Sequence, residues 1–169
     1  EFRIYELSQV AQMPSIPPYQ VPFRHLCNLL QVQGGNIKAV LSSFADLKEE
    51  QRERLEMRAV CAWNWITEGG APQDFKFSLN GRENIPSVDP DFVPCMAKIK
   101  EEIVPKIDVL DEKTISTMLY DVANEFEKEP KALFTVLYKL LISKEQGPRL
   151  AGFMKIIGKE KLEVFFKSF

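Results

Sequence analysis

The sequence predicts an all-α fold, a multi-helix bundle of about seven to nine helices, and three observations carry the prediction. Apolar residues recur at three- and four-residue spacing along most of the chain, as helices packed on a core require. Residues that start helices (Asn36, Asp91, Asp111, Pro130) and residues that stop them (Gly34-Gly35, Gly69-Gly70, Pro105, Gly158) fall between these periodic runs. Strand-like alternation is confined to one short stretch, Phe75 to Leu79. With 169 residues, 45% of them hydrophobic and 27% charged, the chain has the composition of one globular domain or of two small helical subdomains.

The elements follow in order. Met13 to Pro22 holds four prolines and reads as an extended strap. Pro22 opens a helix with Phe23, Leu26, Cys27 and Leu30 on one face, which Gly34-Gly35 ends. Asn36 caps a helix bearing Ile37, Val40, Leu41 and Phe44. The longest helix runs from roughly Lys48 to Thr67, charged at first and then apolar through Val60, Trp63 and Ile66. Residues 71–90 carry few helix signals and read as loop. Asp91 is expected to cap a helix reaching about Val104, with Pro94 tolerated in its first turn and Pro105 ending it. Asp111 caps the next, whose stripe is Ile115, Met118, Leu119, Val122 and Phe126. Pro130 opens a helix with apolar residues on nearly every side from Leu133 to Ile142, expected to be the most buried element. After a polar turn, Pro148 starts a helix that Gly158 caps, and Leu162 to Phe166 makes a last amphipathic run. Residues 1–22 read as a linker from an upstream domain, 23–110 as a first helical subdomain and 111–169 as a second.

Chemistry is sparse. Cys27, Cys61 and Cys95 read as reduced core thiols, since no pair has zinc-finger spacing and an odd number does not make a disulfide frame. No metal site is expected. Their common spacing of 34 matches one helical-repeat family, but that family's Trp, Gly and Tyr signature is absent. There is no P-loop, and neighbouring acids such as Glu49-Glu50 point apart on a helix. His25 is the only histidine. No apolar run approaches the roughly 20 residues of a membrane span. The start at Glu1 rather than Met reads as a fragment or a processed form; no secretory signal is seen, and the reduced thiols suit a cytoplasmic protein. The formal net charge is −2, yet Lys131 to Phe169 holds eight basic and three acidic residues, so a polyanion is expected at that end. Two features suit one. In Phe23-Arg24-His25 a ring could stack on a nucleobase while arginine meets its phosphate; alternatively Phe23 belongs to the core and Arg24 to solvent. In SKEQGPRL, Lys144 and Arg149 flank a helix start, whose unpaired N–H groups favour an anion; the plain alternative is an ordinary Gly-Pro start with surface charges.

The order LYKLLISKEQGPRLAGFMKIIGKEKLEVFF resembles the carboxy-terminal signature of class I lysyl-tRNA synthetases, which share an α-helical cage with the glutamyl enzymes. The matching residues are Gly147-Pro148-Arg149-Leu150, a helix, and Ile157-Gly158-Lys159-Glu160. IPPYQVPFRHLCNLLQV is similar to the segment that enters this cage in the lysyl family. The resemblance implies an anticodon-binding region for the tRNA of the lysine isoacceptor, with a uracil-rich anticodon. It places Gly147, Pro148 and Leu150 against anticodon bases; the reading of the residues themselves adds Lys144 and Arg149 beside them and Phe23, Arg24 and His25 as a secondary contact. Tyr138 stands where the glutamyl relatives use an arginine, and can stack on a base or bond through its hydroxyl. Arg149 replaces a glycine of that turn. The family's His-Ile-Gly-His-like and Lys-Met-Ser-Lys-Ser-like signatures are absent, so no cofactor is expected in this chain; ATP and lysine would bind an upstream catalytic domain. A monomer without membrane attachment is expected. The competing readings are a helical protein–protein interaction module without RNA binding and a small hydrolase using His25.

Overall fold

A computed structural model describes residues 19–169. Most of the 1–22 linker therefore lies outside the described residues. The described chain folds into α-helices without strands: α1 Phe23–Val32, α2 Ile37–Ser42, α3 Glu49–Thr67, α4 Val93–Glu102, α5 Glu112–Glu125, α6 Pro130–Ile142, α7 Leu150–Ile157 and α8 Lys159–Phe165. None of them is long and apolar enough to cross a membrane.

Local chemistry sets most boundaries. The Asn36 side chain accepts from the Ala39 N–H at 3.1 Å, and Asp111 Oδ1 from the Thr114 N–H at 2.7 Å, each satisfying a donor that the first helical turn leaves open. Before α4 the capping residue is Asp89, not Asp91: Asp89 Oδ1 accepts from the Asp91 N–H at 3.0 Å and starts a 3-10 turn, Pro90–Phe92, that runs into the helix. Likewise α7 begins at Leu150 with Arg149 as its N-cap, so Pro148 remains in the preceding turn. Gly35, at φ +80°, ends α1 where a Cβ would lie 2.4 Å from the Trp63 ring, so only glycine lets α3 approach this closely.

Two apolar clusters form. Leu26, Leu30, Val40, Leu55, Ala59 and Ile66 join α1, α2 and α3. Ile99, Leu119, Leu137, Leu141, Phe153 and Phe166 join α4 to α8, with Val32 at the end of α1. Ile156 packs against both clusters, so α7 is the seam. The expectation that α6 is the most buried element needs correction. Every residue from Leu26 to Val32 is buried, whereas α6 exposes Lys139 and half-exposes Phe134, Thr135 and Val136. On that outer side the cover is thin: Phe134 meets the Tyr120 ring edge-on at 5.2 Å, and Tyr120 is itself 46% exposed. Cys27 and Cys95 are core thiols as read, but Cys61 is exposed, on the side of α3 away from Leu55, Ala59, Ala62 and Ile66.

Residues 71–89 are open chain broken by one 3-10 turn, Arg82–Asn84. The alternation at Phe75–Leu79 yields no strand because side chains, not a neighbouring strand, take up its backbone groups. Gln31 Oε1 accepts from the Phe77 N–H at 2.7 Å, and Gln31 Nε2 donates to the Phe75 carbonyl at 3.4 Å. The Phe77 ring packs edge-on against Phe153 at 5.2 Å.

Candidate functional site

The turn between α6 and α7 is built to stay in place. Ser143 ends α6 in the left-handed region at φ 55°, and its hydroxyl donates to Asn80 Oδ1 at 2.7 Å. Asn80 in turn closes the helix end, donating from Nδ2 to the carbonyls of Lys139 (3.0 Å) and Leu140 (2.9 Å) and from its backbone N–H to Leu141 (2.8 Å). Beyond it the chain lies down on α6. A Cβ on Gly147 would come 3.0 Å from Ile142 Cδ1 and Tyr138 Cε1, a contact tighter than side chains normally accept. The Tyr138 hydroxyl donates to the Pro148 carbonyl, and burial pushes its phenol pKa up. Tyr138 is thus a strut beneath the turn. Leu150 is buried and anchors α7, which leaves Gly147 and Arg149 exposed at the crest and Pro148 half-buried.

A cavity flanks the turn on each side. One, of about 360 Å³, is lined by Arg24, Asn28, Asp74, Phe75, Lys144, Gly147 and Pro148 among others. The other, of about 710 Å³, is lined by Glu112, Tyr120, Phe134, Tyr138, Arg149 and Leu150 among others. The two sequence features, remote in the chain, therefore meet: Arg24 shares the smaller cavity with Lys144 and the Gly147-Pro148 turn. Lys144, Tyr138 and Arg149 do not share a single concavity, because the turn separates Lys144 from the other two. Phe23 is 49% exposed and lies edge-on to Trp65 at 5.3 Å, Trp65 meets Phe75 at 5.2 Å, and the Arg24 guanidinium sits 5.9 Å from the Phe75 ring centre. His25 is exposed and lines neither cavity.

Much of the basic charge is engaged within the protein. Lys144 Nζ donates to the carbonyls of Gln73 (3.0 Å) and Lys76, which ties down the loop opposite Gln31. Lys161 Nζ donates to the Val32 carbonyl (3.1 Å) and Gln33 Oε1 (2.9 Å), and burial holds its pKa below the usual lysine range. Lys155 bonds the Leu110 carbonyl, while Lys139 pairs with Glu145 at 3.4 Å and Lys159 with Glu163 at 3.8 Å. Among the described residues the side chains of Lys131, Arg149 and Lys167 have neither an ion pair nor a hydrogen bond. Within the turn itself Arg149 is thus a free cation, and across the smaller cavity Arg24 meets, among the described residues, only the Phe75 ring. Sequence reasoning overlooked Asn28, Gln31 and Asn80. The first two carried a signal: with Arg24 they stand at i, i+4 and i+7, a polar line down a helix otherwise rich in leucine. Asn80 had none, since its partners lie 59 to 63 residues away. Among the described residues no group of three His, Cys, Asp or Glu side chains could hold a metal ion.

No protein-family model matches the chain. Similar proteins include the lysine–tRNA ligase of Treponema pallidum, 51% identical over 160 residues, which are 95% of this chain and 30% of that protein. The lysine–tRNA ligase of Borreliella burgdorferi is 38% identical over 162 residues, 95% of this chain and 31% of that protein. That of Pyrococcus furiosus is 31% identical over 166 residues, 94% of this chain and 31% of that protein. The chain thus spans about a third of the length of the relatives it matches.

Proposed function

Over nearly its whole length the chain belongs to the lysine–tRNA ligase family, and from that premise we propose that it is the carboxy-terminal, anticodon-binding part of a class I enzyme, reading the uracil-rich anticodon of lysine tRNA. The observation that carries this reading is the turn Gly147-Pro148-Arg149. It is held from below by Tyr138 and Asn80, carries an unpaired arginine, and stands between two cavities within the roughly 300–1,000 Å³ range of small-ligand sites. Single-stranded bases are read once they are splayed out, by stacking and by hydrogen bonds to their edges. Uracil presents two carbonyl acceptors on either side of one N–H. A guanidinium at the crest suits such carbonyls or the adjoining phosphate. A turn that needs no ordering on binding keeps more of the contact energy. Tyr138 then acts by holding the Pro148 carbonyl, and Lys144 by holding the loop, rather than as a loose phosphate contact. ATP and lysine we assign to the two thirds of the relatives that this chain does not span.

The test is a set of affinities for lysine tRNA and for the same tRNA with its anticodon uracils replaced, each at two salt concentrations. The native chain is expected to prefer lysine tRNA. Arg149→Ala is expected to narrow that preference by about 1.5–3 kcal/mol if the guanidinium bonds a base, or to flatten the salt dependence by about one phosphate contact if it does not. Equal affinity of the native chain for both tRNAs refutes the reading.

A further inference from the structure

Asn28 is out of keeping with its surroundings. It lies in the fully buried part of α1, between Cys27 and Leu29, and is itself only 8% exposed. Asparagine is a poor helix former, and a buried amide without partners destabilises a fold. Yet the Asn28 side chain forms no hydrogen bond among the described residues, while its neighbour on the same line, Gln31, forms two. Among the described residues no side-chain nitrogen or oxygen sealed from solvent is left without a partner, so the Asn28 amide reaches solvent, and Asn28 lines the smaller cavity beside Gly147-Pro148. An amide held there offers one acceptor beside one donor. Lys144 contributes another donor, since two carbonyls occupy only two of its three N–H groups. The Arg24 guanidinium stands over Phe75 on the same wall. Asp74 also lines the cavity, which disfavours a phosphate there and suits the N–H of a base.

Resting on the anticodon reading above, we propose that Asn28 is a specificity-determining residue that reads a uracil base of single-stranded RNA in this cavity, Oδ1 accepting from the N3–H and Nδ2 donating to a flanking carbonyl. Cytosine has no N3–H, so its N3 lone pair would face Asn28 Oδ1, and its amino donor would stand where uracil offers a carbonyl to Lys144 or Arg24.

The experiment measures anisotropy of the 169-residue chain with two labelled RNA hairpins, one with uridines in the loop and one with cytidines in their place. The native chain is expected to bind the uridine hairpin about tenfold more tightly or better, the discrimination usual for a two-point amide–base contact. In Asn28→Ala the two affinities are expected to fall within about twofold of each other, while the melting temperature stays the same or rises. Asn28→Asp, which keeps the shape but loses the donor, is expected to weaken the uridine hairpin. A uridine preference retained in Asn28→Ala overturns the assignment and leaves the anticodon reading standing. A lowered melting temperature in Asn28→Ala makes the amide structural and also overturns it. Native protein that binds both hairpins alike, or neither, removes the anticodon reading and Asn28 with it.

Discussion

Tyr138 shows how a residue's place in the fold changes what its chemistry can do. From the sequence it is a ring with a hydroxyl in the right neighbourhood. In the structure the ring carries Gly147 and the hydroxyl holds the Pro148 carbonyl, which gives a residue-scale prediction. Tyr138→Phe keeps the ring and loses the bond, so urea unfolding should show a loss of about 0.5–1.5 kcal/mol. The cysteines make a second test. The thiolate is the nucleophile, and burial lifts the Cys27 pKa to about 11 and that of Cys95 in the same direction. A maleimide at mildly alkaline pH should therefore add to Cys61 alone, and mass spectrometry of the native protein should find one adduct. A second fast adduct would mean that α1 or α4 opens readily, and a third that both do. The even spacing of the three cysteines could not reveal this, because a helix with charges on several sides does not announce which face a small thiol takes.

At the scale of the element, what was legible is what is local. Asn36 and Asp111 were readable as caps because the donors they satisfy lie three residues on. The cap of α4 was misplaced by two positions because Asp89 and Asp91 flank Pro90 and both suit a helix start. Asp111 has a testable pH signature. Its carboxylate accepts from the Thr114 N–H, and that bond holds its pKa below the ordinary value. A depressed folded-state pKa contributes stability that is present above the unfolded value and lost as pH falls through the folded one. Thermal melts from about pH 6 to about pH 3 should therefore show a smaller acid loss in Asp111→Ala than in the native chain; parallel losses would remove Asp111 from the pH response. For α6, Leu137 is fully buried, and Leu137→Ala should cost about 2–5 kcal/mol in denaturant unfolding.

Across the whole molecule the all-α bundle was legible, and the reason the site assembles was not. Periodicity and caps specify helices, but the loop 71–90 is tied beside the turn by partners remote in the chain. Gln31 holds it from α1, and Asn80 and Lys144 tie it to the end of α6. A loop this long inside a small fold needs such ties, which act together with the packing of Phe75, Phe77, Leu79, Ile85 and Val88 on the two apolar clusters. From sequence, Lys144 and Arg149 look alike, two cations beside one turn. The structure divides them and so predicts opposite mutant behaviour. Lys144→Met removes a charged donor from two backbone carbonyls, so it should lower stability by about 1–3 kcal/mol and speed amide exchange around Gln73 to Phe77. Arg149→Ala removes a side chain without partners and should leave stability within about 0.5 kcal/mol. RNA affinity should fall in both, but any flattening of the salt dependence should be confined to Arg149→Ala, because of the two cations only that one is free to displace counterions. A flattened slope in Lys144→Met with undisturbed exchange in the loop would mean that its ammonium leaves the carbonyls for the nucleic acid, and that the smaller cavity opens when RNA binds.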